Sequence, residues 1–161
     1  MPWFKWLLWI GTITLFLILG MKAYHLWAVG TPTVECFEFS NKQDATETVK
    51  LWEQKNVMYT AKSSIWLDYA FLVCYVLLMI NLSNHQMNLE KNLVLNNLLR
   101  LNIPLATAIG VLDFSENSIM LNNIRSPEDY FPTALIATLK FVLVGWIIIV
   151  WVISMVKRKV G

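Results

Sequence analysis

Asp113, Glu116 and Asn117 stand together in the segment LNIPLATAIGVLDFSENSIML, which is otherwise apolar enough to enter a bilayer. A carboxylate in hydrocarbon costs several kcal/mol and is normally paired or put to use. Spacings of three and four residues place all three side chains on one helix face. Carboxyls so arranged can hold a cation, pass a proton, share acid and base work, or brace one helix against another. The chemistry to look for is therefore that of embedded acids, and the elements around them decide which form it takes.

Those elements are membrane spans. Of 161 residues, 57% are hydrophobic and only 15% charged, where a soluble domain carries about one quarter charged residues. Four apolar runs approach the ~20 residues needed to cross a bilayer: Trp6 to Tyr24, Ile65 to Leu82, Leu95 to Ile119 and Thr133 to Met155. The expectation is an all-α integral membrane protein, a single domain over residues 1–161 built as a four-transmembrane-helix bundle. The first run is long, and no small-residue cleavage site follows it, so it reads as an uncleaved signal anchor. Aromatic side chains mark the span ends: Trp3, Phe4, Trp6 and Trp9, then Tyr24 and Trp27, Trp66 and Tyr69, and Tyr130 and Phe131. Such belts anchor helices at the headgroup level. Pro104 is expected to kink the third span, and Gly110 to allow close packing.

Two further ionisable residues are embedded, Asp68 in IWLDYAFLVCY and Lys140 in TALIATLKFVLVGW. At a helical rise of about 1.5 Å per residue, Asp68 and Glu116 fall ~8–9 Å below the outer ends of their spans, and Asp113 and Lys140 ~13–14 Å. Neighbouring spans run in opposite directions, so this shared layer is not imposed by chain order. It places the four residues in one polar cluster in the outer half of the bilayer. Lys140 is the natural partner of Asp113, while Asp68 and Glu116 need donors, protons or a bound cation. Asn117 can both donate and accept. Lys22 and His25 could close the cluster from above, although Lys22 reads more simply as a side chain reaching up to the headgroups.

Several chemistries have no footing here. The net charge of +2 is small and dispersed, so no nucleic-acid partner is expected. Cys36 and Cys74 form no CxxC pair and fall at different depths, which argues against thiol–redox chemistry and against a disulfide. His25 and His85 lie toward opposite membrane faces without HxxxH or HExxH spacing, so no histidine metal site is expected. No phosphate-binding loop or GxSxG element occurs. No cofactor is indicated.

Even span number puts both termini on one side. Lys5 precedes the first span, Lys157, Arg158 and Lys159 follow the last, and Lys91 and Arg100 flank the short second loop. The positive-inside rule then places termini and that loop in the cytoplasm, with residues 25–64 outside. Lys22, Lys42, Lys50, Lys55, Lys62 and Arg125 lie on or beside the outer side, mostly in the long loop, where such residues weigh less. In that loop VECFEF reads as a short extended stretch. Ser40 or Asn41 could then cap a helix through DATETVKLWEQKNVMYTAK, with Ala45, Val49, Trp52 and Tyr59 as its apolar stripe. This extracytoplasmic amphipathic helix is expected to lie over the bundle and to run on into the second span.

The strings VECFEFS, LDYAFLVCY and GVLDFSENSIML, with Trp52 between the first two and Lys140 after the last, resemble a family of small bacterial four-span membrane proteins. That family has a Phe-Glu-Leu-like outer loop, a Leu-Asp-x-x-Phe second span and an Asp-x-x-Glu-Asn third span. The resemblance runs from Val34 to about Lys140; Phe39 stands where the family has Leu. It implies a four-span fold in a bacterial inner membrane and draws attention to Glu38, Trp52, Asp68, Tyr75, Asp113, Glu116, Asn117 and Lys140. It also implies that Glu38 dips from the loop toward the cluster. It implies no reaction.

Three functions compete. The first is binding or transport of an ion, proton, cationic ligand or lipid headgroup by Glu38, Asp68, Asp113, Glu116, Asn117 and Lys140, with homo-oligomerisation expected because four spans make a narrow path. The second is an accessory subunit whose charges hold the bundle and whose outer helix meets a partner membrane protein; Asp113→Asn with Lys140→Met should then fold almost as well as the parent. The third is an intramembrane lipid-acting enzyme using paired carboxyls. It ranks last, because the chain reads DY and GVLD where intramembrane aspartyl proteases carry YD and GxGD.

Overall fold

The computed structural model describes the backbone of residues 2–160, with side chains in that range except those of 2–8, 10, 159 and 160. The collar residues Trp3, Phe4 and Trp6 and the flanking cations Lys5 and Lys159 thus lie outside the described residues' side chains. Six α-helices follow in order: α1 (Pro2–Val29), α2 (Val34–Glu38), α3 (Lys42–Gln54), α4 (Met58–Leu89), α5 (Leu93–Arg125) and α6 (Ala134–Val160), with a 3-10 turn at Pro127–Asp129 before α6. No strand occurs among the described residues. α1, α4, α5 and α6 are long and apolar enough to cross a membrane. The chain is an all-α, multi-pass membrane bundle.

The helices overrun the expected spans. α4 has 32 residues and α5 has 33, which at ~1.5 Å per residue is some 48–50 Å of helix against a hydrocarbon core of about 30 Å. Their polar flanks contain nothing that breaks a helix, so the turn between them shrinks to Glu90–Asn92. Asn92 makes that turn by accepting from the amides of Val94 and Leu95, each at 3.1 Å. α5 stays continuous through Pro104. It packs against α4 at Gly110, where a Cβ would stand 3.1 Å from Val76 Cγ2. In space the order is α1, α4, α5, α6, each packed on the next.

The outer loop departs from expectation in two places. VECFEF is not extended; Val34–Glu38 forms α2, capped by Thr33 through the Cys36 amide at 3.2 Å. Its Phe37 ring packs on Trp52 with centroids 5.3 Å apart, a tertiary contact that overrides the alternating pattern. α3 starts at the Asn41 cap as expected, but it ends before Asn56, whose φ of 57° lies in the left-handed region. The amphipathic helix is therefore separate from the second span. Ala45, Val49 and Trp52 are buried, whereas Tyr59 belongs to α4 and is 83% exposed.

α2 and α3 cap the bundle end over a core that joins Phe37, Ala45, Val49 and Trp52 to Ile65 of α4 and to Met120, Leu121 and Ile124 of α5. Trp52 Nε1 donates to the Pro32 carbonyl at 2.8 Å. Tyr130 donates to the Ser40 carbonyl, and Lys42 Nζ to that of Glu128 at 2.6 Å, tying the cap to the α5–α6 connection. A second, apolar core of Ala106, Ile109 and Ile147 fills the middle of the bundle. At the end nearer the termini Trp151 Nε1 donates to Ser83 Oγ, Arg158 Nη1 to Gln86 Oε1, and Ser154 Oγ to Glu90 Oε2 at 2.6 Å. Both cysteines are free, Cys36 exposed on α2 and Cys74 within α4.

Two outcomes follow. Trp52→Ala empties the centre of the cap core and removes a donor, so stability in a denaturing-detergent titration should fall by about 3–5 kcal/mol. The Ser154 hydroxyl and the Asn92 amide hold the Glu90 carboxyl below its ordinary range. A carboxyl depressed in the folded state stabilises it above the ordinary carboxylate range, and the gain is lost as pH falls through the folded value. Melting curves of the parent and Glu90→Gln should part near neutrality, the parent higher, and converge in acid.

Candidate functional site

α5 carries a buried stripe with a helical period, Leu99, Asn102, Ala106, Ile109, Asp113, Glu116, Asn117 and Met120, while Val111 and Phe114 on the other face are exposed to lipid. Asp113, Glu116 and Asn117 thus point inward, at 7%, 2% and 3% exposure. α6 brings the Lys140 ammonium to 2.8 Å from Asp113 Oδ1, 2.8 Å from Glu116 Oε2 and 3.6 Å from Glu38 Oε1. The other Asp113 oxygen accepts from Tyr75 Oη of α4 at 2.7 Å. Asp113 is therefore partnered on both oxygens. Glu38 reaches the cluster from α2, whose end is fixed by Thr133 Oγ1 donating to the Glu38 carbonyl.

The satisfaction is incomplete. Glu116 Oε2 and Glu38 Oε1 have only the shared Lys140 ammonium near them, at 2.8 and 3.6 Å, and the Asn117 Nδ2 donor has no acceptor. Such groups, buried in low dielectric, are costly unless something completes them. Asp68 instead pairs with Lys22 of α1. These groups surround a cavity of about 340 Å³, at the small end of the ~300–1,000 Å³ usual for ligand pockets. α2 roofs it with Val34, Glu35 and Glu38, α4 and α5 form its back, and Phe71, Met79, Met120, Phe141 and Val144 supply apolar wall. Five acidic residues (Glu35, Glu38, Asp68, Asp113 and Glu116) and two lysines (Lys22 and Lys140) line it. Among the described residues, no three His, Cys, Asp or Glu side chains converge in an arrangement that could hold a metal ion.

Every expected site residue borders this one cavity: Glu38, Asp68, Asp113, Glu116, Asn117 and Lys140. The Asp113–Lys140 pair stands as expected, and Glu38 does dip from the cap. Three assignments change. Lys22 does not reach for headgroups; it turns inward because Asp68 stands opposite on α4. Lys140 serves Asp113, Glu116 and Glu38 together. His25 lies outside the cavity, on a shallow groove of α1 beside Tyr24. Tyr75, Phe71 and Met79 were visible in the pattern, since Asp68, Phe71, Tyr75 and Met79 follow i, i+3, i+7, i+11 on one face of α4. Trp52 stands behind the site, positioning α2 through Phe37.

No family model, curated protein or solved structure matches this chain.

Because Lys140 balances three acids, removing it should cost more than removing one of them. Lys140→Met is expected to lose about 3–5 kcal/mol. Asp113→Asn should lose about 1–3 kcal/mol, since the amide oxygen still accepts from Tyr75. The double variant should recover little, because Glu116 and Glu38 remain without a counter-charge. This revises the sequence expectation that the two changes together are almost neutral; a double variant as stable as the parent would restore it.

Proposed function

We propose that this chain is a small multi-pass protein of the bacterial inner membrane, with cytoplasmic termini, that binds a cationic group in the capped, acid-lined cavity. The observation that carries the reading is the mismatch inside that cavity. Five acidic residues and two lysines line it; the one Lys140 ammonium is shared among Asp113, Glu116 and Glu38, and the buried Asn117 Nδ2 has no acceptor. A protonated amine supplies positive charge and further N–H donors to carboxyls that otherwise share Lys140. The apolar core of Ala106, Ile109 and Ile147 beneath the cavity favours binding over a continuous aqueous path through the bundle.

A bracing role for part of the cluster has its own support. Lys22–Asp68 joins α1 to α4, and Lys140–Asp113 joins α6 to α5, as expected of charges that hold transmembrane helices together. On this reading those two pairs are architecture, and Glu38, Glu116 and Asn117 are the binding face.

The test is thermal stability of the purified parent and Glu116→Gln across a panel of primary amines and alkali cations. An amine at about a hundred times its Kd should stabilise the parent by ~2.7 kcal/mol and leave Glu116→Gln unmoved. A panel that moves neither protein, with the variant less stable throughout, would make the cluster purely architectural.

A further inference from the structure

The cavity is lined on its two flanks by helices that are not packed on each other. Lys22 on α1 and Lys140, Phe141 and Val144 on α6 border it from opposite flanks, yet α1 and α6 make at most glancing contact among the described residues, since the packed pairs are α1 with α4, α4 with α5 and α5 with α6. α2 closes the end and the central apolar core closes the bottom. The remaining route runs sideways between α1 and α6. Phe141, which lines the cavity and is 56% exposed, stands at its mouth.

The walls specify what could use that route. A hydrated ion or a proton has no use for Phe71, Met79, Phe141 and Val144; an alkyl chain packs against them. The buried polar atoms describe a head group by complement. Glu38 and Glu116 share one ammonium with Asp113 and can take further N–H donors, and Asn117 Nδ2, which has no partner, requires an acceptor. With an excess of carboxyls, the donor should be an ammonium and the acceptor an uncharged or shared oxygen close to it.

We infer that the ligand is a membrane amphiphile with a primary ammonium and a neighbouring oxygen, which enters from the bilayer between α1 and α6. Its head lies against Glu38, Glu116 and Asn117, and its chain lies along Phe71, Phe141 and Val144. This rests on the cation-binding reading above and names its ligand class.

The experiment uses the full chain in phosphatidylcholine nanodiscs with three probes: a long-chain 2-amino alcohol, the matching diol without nitrogen, and ethanolamine, which has the head but no chain. The amino alcohol should raise the melting temperature of the parent and not of Glu116→Gln, and the diol should raise neither. Ethanolamine should need about a hundredfold higher total concentration for the same shift, because it lacks the chain that concentrates a ligand in the membrane. Val144→Ala, which trims the apolar wall of the cavity, should weaken the amino alcohol by up to about tenfold and leave ethanolamine unchanged. An amino alcohol carrying a photoreactive group in mid-chain should label α6 near Phe141 and α4 near Phe71. Ethanolamine as potent as the amino alcohol, or labelling confined to α2 and α3, would overturn the lateral amphiphile while leaving cation binding in place. A diol as effective as the amino alcohol would overturn it too, and no response to any probe would overturn both.

Discussion

Charge inside a bilayer must be answered locally, and in this protein Lys140 does most of the answering. One ammonium contacts Asp113 and Glu116 at 2.8 Å and stands 3.6 Å from Glu38. Those three acids come from α5 and from the cap, so a single side chain on α6 gathers three parts of the chain around one point. Tyr75 adds α4 by donating to Asp113, and Lys22 adds α1 through Asp68. The bundle is thus organised around a polar centre with apolar cores on either side of it, one under the cap and one toward the termini.

That arrangement divides the cluster by degree of completion. Asp113 has a partner for each oxygen and Asp68 has its own ammonium, so both meet the requirements of buried carboxylates. Glu38 and Glu116 have only a share of the Lys140 ammonium that Asp113 also uses, and Asn117 keeps a buried amide nitrogen without an acceptor. The complete pairs hold helices; the incomplete trio faces the cavity. Rigidity behind and unmet valence in front is what a preformed binding site needs, and the cap contributes by fixing the Glu38 backbone through Thr133.

Much of this is legible in the sequence, and the exceptions have physical causes. The four spans stand out because hydrocarbon demands long apolar runs. The Asp113–Lys140 pairing follows from equal depth on neighbouring helices. Helix ends were harder: α4 and α5 project beyond the membrane, where polar residues such as Asn84 and Asn96 carry no hydropathy signal and only the Asn92 cap marks the turn. α2 is a five-residue helix held by Phe37 on Trp52 and by the Thr33 cap, so its local pattern misleads. Asn56 breaks the outer helix by adopting a positive φ that asparagine tolerates and does not advertise. Lys22 resembles any lysine near a span end until Asp68, 46 residues on, is brought opposite it.

The central claim is that a cationic group completes Glu116 and Glu38. Magic-angle-spinning NMR of the protein in bilayers can test it, using a nitrogen-15-labelled long-chain amine and carbon-13-labelled glutamate carboxyls. The account predicts dipolar dephasing of glutamate carboxyl carbons by the ammonium nitrogen at hydrogen-bonding distance, abolished in Glu116→Gln. Saturating amine that leaves every glutamate carboxyl undephased would contradict it.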